Sequence, residues 1–288
     1  GDLCPVQRRR QGEAGIHALS VDEHRAGPAL AAVAALLGAG HGKPLAQQVK
    51  QRHAHVVERD GPATTITLTG PQTLTACPVE VPGDPSSSAF AMVAALIVPG
   101  SDITLTGVMD NPARTGLIDT LREMGADITL TPGPEMAGEK TMHVRVRHSQ
   151  LRGITVPAER APSMIDEYPI LCVAAAYAEG VTHMPGLEEL RAKESDRLAG
   201  SAALLRANGV PVEEGEDSLA VTGLGIGGVP GGGETPTHHD HRLAMSGLVI
   251  GLGAKAAASV DDVAMIATSY PDFFDDIAAL GGVLEPIT

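Results

Sequence analysis

The sequence contains no tryptophan, and aromatic residues make up only 2% of it. Its core must therefore come from Ala, Val, Leu, Ile and Met. The same scarcity argues against a nucleic-acid surface, because stacking platforms need aromatic rings. Positive charge is also short: 21 Lys and Arg against 35 Asp and Glu give a formal net charge of −14. That balance disfavours a general affinity for nucleic acid or anionic membranes, although cations gathered in one cleft can still hold an anion. Cysteine is limited to Cys4, Cys77 and Cys172, with no C-x-x-C spacing, so neither a disulfide framework nor a zinc site follows. Cys172 falls in an apolar helical run and is expected in the core, and this cysteine usage suits a reducing cytoplasm. The longest apolar stretches, such as "PALAAVAALLGAG" at 28–40, are too short to span a bilayer. The start "GDLCPVQRRR" has no apolar region close behind it, so no signal peptide is read.

What is present is a chain of 288 residues, 43% apolar, with material for one or two globular domains. Stacking its segments reveals an internal repeat. The first unit reads "VEVPGD", "SSSAFAMVAALIV", "SDITLTG", "RTGLIDTLREMGA", "DITLT", "MHVRVRHS". The second reads "GITVPAE", "MIDEYPILCVAAAYAEG", "VTHMPG", "ESDRLAGSAALLRANG", "PVEEG", "SLAVTG". The third reads "ETPTH", "DHRLAMSGLVIGLGA", "ASVDD", "TSYPDFFDDIAALGG", "VLEPIT". The order strand, helix, strand, helix, strand, strand predicts an α/β fold with mixed sheets. Its period of roughly 70 residues is too long for a simple solenoid. The second helices end at Gly125, Gly209 and Gly281, the residue type that tolerates the left-handed turn past a helix. Residues 62–76 look like a strand pair closing an earlier, incomplete unit. Residues 1–60 show one helical run, "GPALAAVAALLGAG" at 27–40, and little other periodicity.

The stretch "AKESDRLAG" at 192–200 packs two cations, two carboxylates and a serine into Lys193–Arg197, just as helical periodicity begins. Glu194 and Asp196 suit the positive end of a helix dipole, whereas Lys193 and Arg197, four apart and so expected on one helix face, do not. An exposed salt bridge gains only about 0.3–0.5 kcal/mol, so an ordinary charged helix start and an anion site both remain open here. The first helices of the three units each carry an acid at the mouth: Asp84, Asp166 and Asp240. Plain capping, worth about 1 kcal/mol, accounts well for Asp84 and Asp240. It does not account for Arg242, a second cation in a first turn. Arg197 and Arg242 together read as two prongs of one anion site, since Arg can grip phosphate or carboxylate bidentately. Two motifs mislead. "HHDH" at 238–241 resembles a metal cluster, but adjacent side chains at a helix start diverge, and no metal is expected. "GLGIGG" at 223–228 fits G-x-G-x-x-G but precedes no helix, so it reads as a loop.

Five segments in order, "PGDPSSSAF" (82–90), "RAPSMIDEYPI" (160–170), "RAKESDRL" (191–198), "HDHRLAMS" (239–246) and "MIATSYPDFF" (265–274), resemble the EPSP synthase family. The variety resembled is the bacterial group known for glyphosate-tolerant members. The resemblance runs from about residue 62 to the end, and "KESDR" is its most specific motif. It implies the enolpyruvate transferase fold: copies of one β-α-β-α-β-β unit in two domains that close over the substrates. The expected layout is a poorly matching segment at 1–61, a remnant of the upper domain at 62–79 and a three-unit domain at 80–288. The family's N-terminal half, with its further cations, is expected to be largely missing.

The implied chemistry transfers the enolpyruvyl group of phosphoenolpyruvate to the 5-hydroxyl of shikimate 3-phosphate, without a metal or cofactor. By resemblance, Asp166 is the base at the hydroxyl and Glu194 exchanges the C3 proton of phosphoenolpyruvate. Lys193 reaches the shikimate ligand, Arg197 and Arg242 hold phosphoenolpyruvate, and Glu189 lies where relatives contact the shikimate ligand. Thr268 stands where many relatives place another lysine. The expected partners are these two small molecules, with no nucleic acid and no membrane. The expected state is a cytoplasmic monomer, impaired alone and open to completion by a separate N-terminal half. Two alternatives stand beside this one: an inactive or complementing fragment, and a UDP-N-acetylglucosamine carboxyvinyltransferase relative.

Overall fold

A computed structural model describes residues 58–60, 63–65 and 80–285. The helix expected at 27–40, Cys4, Cys77 and most of the strand pair expected at 62–76 lie outside the described residues. The described residues fall in two compact units. One contains the antiparallel pair β1 (Glu58–Asp60) and β2 (Ala63–Thr65), with Glu58 opposite Thr65 and Asp60 opposite Ala63. The other begins at Val81 and holds the three repeat units.

Each unit opens with an extended segment, dives into the core as a helix, and returns as a strand beside that segment. In the first unit, Gly83 bridges in parallel to Val108; helix α1 (Pro85–Ile97) and strand β3 (Asp102–Met109) form the crossover. Helix α2 (Gly116–Glu123), β4 (Asp127–Pro132) and β5 (Thr141–Arg147) follow, and β5 lies antiparallel between β3 and β4. The second unit repeats the order. Arg152 and Thr155 bridge in parallel to Glu179 and His183. Then come α3 (Tyr168–Ala176), β6 (Glu179–Met184), α4 (Arg197–Ala207), β7 (Val212–Glu214) and β8 (Leu219–Leu224). Strand β8 lies antiparallel between β6 and β7. The third unit has β9 (Glu234–Thr235) parallel to β10 (Ser259–Val260) around α5 (His241–Gly251), then α6 (Phe273–Ala279). The expected strand in "VLEPIT" is not formed over Val283–Glu285; the remaining three residues lie outside the described set.

The second helices end alike, for a reason visible in the sequence. Gly125, Gly209 and Gly281 have φ of +98°, +75° and +91°, where a Cβ would be strained. Each helix closes with the same pair of bonds. In α2, the Gly125 N–H donates to Arg122 O and Ala126 N–H to Leu121 O, both at 2.9 Å. Gly209–Arg206 with Val210–Leu205, and Gly281–Ala278 with Gly282–Ile277, repeat the pattern. The motif satisfies carbonyls that the helix end would leave bare.

The first helices pack against one another at the centre. All nine residues of α3 are buried, and Cys172 lies among them, as expected. A helix apolar on every face has no solvent side to present. The strands face the central helices with alternate residues: Val144 and Val146 of β5, which packs on α1, and Leu219 and Val221 of β8, which packs on α3, are buried. The few aromatics are concentrated. All three phenylalanines, Phe90, Phe273 and Phe274, stack edge-on through Phe273, with Tyr270 beside them, and tie α1 to α6. Among the described residues no helix is long and apolar enough to cross a membrane.

Candidate active site

The packing of α1, α3 and α5 gathers the mouths of all three helices, and most of the candidate residues sit there. The acids at these mouths divide into two kinds. Asp84 caps α1, accepting from the Ser86 and Ser87 N–H groups at 3.2 and 2.9 Å. Asp240 caps α5, accepting from the Arg242 N–H at 2.8 Å. Asp166 caps nothing. It lies in a short 3-10 turn, Ile165–Glu167, ahead of α3, where no side-chain cap bond forms. The helix expected over 164–180 is therefore shorter, and its first turn is tighter.

Asp166 is where the cations meet. Arg197 Nη1 donates to its Oδ1 at 2.9 Å, and Lys193 Nζ lies 3.7 Å from the same oxygen. Arg242 Nη2 lies 3.8 Å from Oδ2, and Arg242 Nη1 donates to the Asp166 carbonyl at 3.3 Å. Burial pushes the Asp166 carboxyl up, but Arg242, Lys193, Arg197 and Arg114 together hold it below the usual range. Glu194 Oε2 contacts Arg197 Nη2 at 2.5 Å while its side chain stays 57% exposed. Glu189 Oε1 accepts from Lys193 Nζ at 3.2 Å. All six candidates, Asp166, Glu189, Lys193, Glu194, Arg197 and Arg242, thus fall in one cluster.

The local route to it differs from the expectation. Helix α4 starts at Arg197, capped by Asp196 through the Ala199 N–H at 2.9 Å. Lys193 and Glu194 precede the helix, so Lys193 and Arg197 do not share a helical face. They meet because the chain bends between a 3-10 turn (Glu188–Ala192) and α4. Of the candidate cations, Arg197 and Arg242 lie inside a first turn, where a bare helix opposes them.

Arg197 is fully buried. Its Nε donates at 2.7 Å to Asp240 Oδ2, itself fully buried and also bonded by Ser195 Oγ at 3.0 Å. Burial pushes Asp240 up, and the Arg197 bond and charge bring it below the ordinary value. Asp240 is therefore both a cap and the counter-charge that fixes Arg197. Arg242 is held more loosely: among the described residues its buried Nε has no hydrogen-bond acceptor. Beside it the His241 imidazole is shifted down by burial and by the Arg242 charge.

Several groups at this site carry no signal in the sequence reading. Glu167 is buried, accepts a hydrogen bond from Ser86 Oγ, and lies 3.8 Å from Arg242 Nη1. Arg114 Nη2 donates to Ser86 Oγ at 3.0 Å and to Asp84 at 3.2 Å. One clue was available: a carboxylate at the mouth of a helix apolar on every face must be buried, and hence paired. Thr268 Oγ1 donates to Met265 O at 2.6 Å. "HHDH" is not helical throughout: His238 and His239 precede α5 with φ of +52° and +59°. Among the described residues no three His, Cys, Asp or Glu side chains are placed to hold a metal. "GLGIGG" ends β8 and continues as a turn.

Comparison with known proteins decides the lineage. The family model for EPSP synthase (3-phosphoshikimate 1-carboxyvinyltransferase) matches residues 48–277. The chain belongs to the EPSP synthase family. It is 88% identical over 232 residues to the 3-phosphoshikimate 1-carboxyvinyltransferase of Maricaulis maris (strain MCS10), covering 81% of this chain and 52% of that protein. The Rhodopseudomonas palustris (strain HaA2) protein of the same name is 60% identical over 227 residues, covering 78% and 51%. Among solved structures, an EPSP synthase from Acinetobacter baumannii superposes with a TM-score of 0.74 at 34% identity, over 84% of this chain and 55% of that one. The enolpyruvyl transferase NikO from Streptomyces tendae shares the fold, with a TM-score of 0.57 at 20% identity. The chain spans about half the length of the curated relatives it matches. The family match begins at residue 48, ahead of the residue 62 expected from the motifs.

Proposed function

We propose that this chain carries the cationic wall and the acid–base pair of an enolpyruvyl transfer site, acting on phosphoenolpyruvate and shikimate 3-phosphate. The observation that carries the reading is the convergence of Arg197, Lys193 and Arg242 on Asp166 at helix mouths whose dipoles favour anions. Both substrates are anions, and preorganised cations in a site of low dielectric stabilise such charge best. Arg242, with a buried donor unmatched among the described residues, and Arg197 hold phosphoenolpyruvate. Lys193 and Glu189 reach the shikimate ligand.

In the reaction the 5-hydroxyl oxygen bonds to C2 of phosphoenolpyruvate while its proton passes to Asp166. Glu194 delivers a proton to C3. Glu194 then takes a proton back from the new methyl group, the C2–phosphate bond breaks, and Asp166 returns its proton to the departing phosphate. The cations that keep Asp166 ionised would make it a weak base. Bound substrate anions offset those cations and raise its basicity when it is needed.

Calorimetric titration of the chain with each ligand tests the reading. Binding of phosphoenolpyruvate that Arg242→Met weakens at least tenfold supports it, and binding indifferent to Arg242 and Lys193 sinks it. The same titration separates an active chain from a ligand-binding fragment when phosphate release is followed alongside. The names of the relatives do not favour the UDP-N-acetylglucosamine alternative.

A further inference from the structure

Two buried carboxylates stand behind the cations of this site, and the transfer chemistry uses only the side chains in front. Asp240 backs Arg197 through a direct bond. Glu167 occupies the matching place behind Arg242. It is nearly fully buried at the mouth of α3, receives the Ser86 hydroxyl from α1, and faces Arg242 Nη1 of α5 at 3.8 Å. The chain of contacts continues outward: Arg114 donates to the same Ser86 oxygen and to Asp84. A single carboxylate therefore joins the mouths of all three central helices. A buried carboxylate without a designated task is costly, because its desolvation must be balanced by partners.

We infer that Glu167 is a positioning residue for Arg242, locked by the Ser86 hydroxyl, and that it keeps the Arg242 guanidinium from collapsing onto Asp166. The guanidinium lies between two carboxylates at near-equal range, 3.8 Å to Glu167 Oε1 and 3.8 Å to Asp166 Oδ2. Removing the inner one leaves Asp166 as its nearest anion, and an arriving ligand must then break that pair. This inference rests on the proposed function only for the identity of the ligand. Burial holds the Glu167 carboxyl above its ordinary value, and Asp166 adds to that rise, although Ser86, Arg242 and Arg114 draw it down. Lys193 and Arg197 face the same turn through Asp166, and His241 is the titratable neighbour of Arg242 on α5.

The test needs no substrate. The chain is labelled with nitrogen-15 arginine, and its Nε–H signals are followed by NMR from pH 4 to pH 8. Arg242→Lys identifies the Arg242 signal by its loss. The expected result is that Glu167→Gln and Ser86→Ala both shift that signal and leave the Arg197 signal in place. Glu167→Gln should also remove part of its titration, whereas the part due to His241 persists in both proteins. Ser86→Ala keeps the test alive if Glu167→Gln does not fold. An Arg242 signal unmoved by either variant, or one that moves only together with Arg197, overturns the inference. Phosphoenolpyruvate affinity, measured on the same proteins, should fall about tenfold in Glu167→Gln. No binding to the unaltered chain counts against the proposed function while the NMR result stands on its own.

Discussion

Arg197→Met is expected to cost this fold more than any substitution of an exposed charge, and the structure says where the cost falls. Arg197 and Asp240 are both fully buried and meet at 2.7 Å. Without the guanidinium, Asp240 keeps only the Ser195 hydroxyl and the Arg242 N–H. Breaking one side of a buried pair costs about 3–5 kcal/mol. A domain holds about 5–15 kcal/mol in all, so at the lower end of that range the loss is more than half of the whole. The contacts to Asp166 and Glu194 add little, because both acids are partly solvated.

The pH dependence gives the sign. In the intact protein Asp240 is held below its ordinary value, so its contribution is present above the unfolded value and lost as pH falls through the folded one. In Arg197→Met only the Ser195 hydroxyl and the Arg242 N–H still oppose burial, and the folded value is expected to rise above the unfolded one. That variant is then least stable at neutral pH and recovers on acidification. Urea unfolding at pH 7 and at about pH 4.5, with m compared between proteins, measures both. Adding Asp240→Asn should restore more than half of the loss. A deficit below about 1 kcal/mol at pH 7, or one that does not shrink in acid, refutes the reasoning.

Other outcomes follow from the same geometry. Asp166→Asn should change the unfolding free energy by less than about 1 kcal/mol, since Arg197 stays anchored on Asp240, yet slow phosphate release by about 10²-fold or more. Gly281→Ala meets no atom within 4 Å and should cost about 1 kcal/mol for its left-handed backbone. Gly209→Ala also brings a Cβ to 2.8 Å from Pro230 and should cost more, measured by the same unfolding curves. The Cys172 thiol, pushed up to about 12 by burial, should stay silent to a thiol reagent in a chain with Ser at positions 4 and 77, and react once urea unfolds it.

The repeat and its helix ends were legible because they are local. Gly125, Gly209 and Gly281 announce the left-handed turn, and alternation in "MHVRVR" announces a half-buried strand. Asp84 and Asp240 were legible as caps for the same reason. What escaped was set by contacts between units. Ser86 and Glu167 are 81 residues apart, and no periodicity pairs them. The second duty of Asp240, as counter-charge to Arg197 43 residues away, is hidden behind its cap. Lys193 and Arg197 were expected on one helix face because they are four apart. They converge through a bend instead, since the residue at the mouth of α4 is Asp196, a better cap than Lys193.

We propose that Asp166, Glu194 and the three cations act together as an enolpyruvyl transfer site. The direct measurement is phosphate release by a hybrid in which the 232 aligned residues of this chain replace the matching segment of the Maricaulis maris protein. The expected result is turnover that requires shikimate 3-phosphate and is lost with Glu194→Gln or Asp166→Asn. A folded hybrid without turnover, or turnover that survives both substitutions, contradicts it.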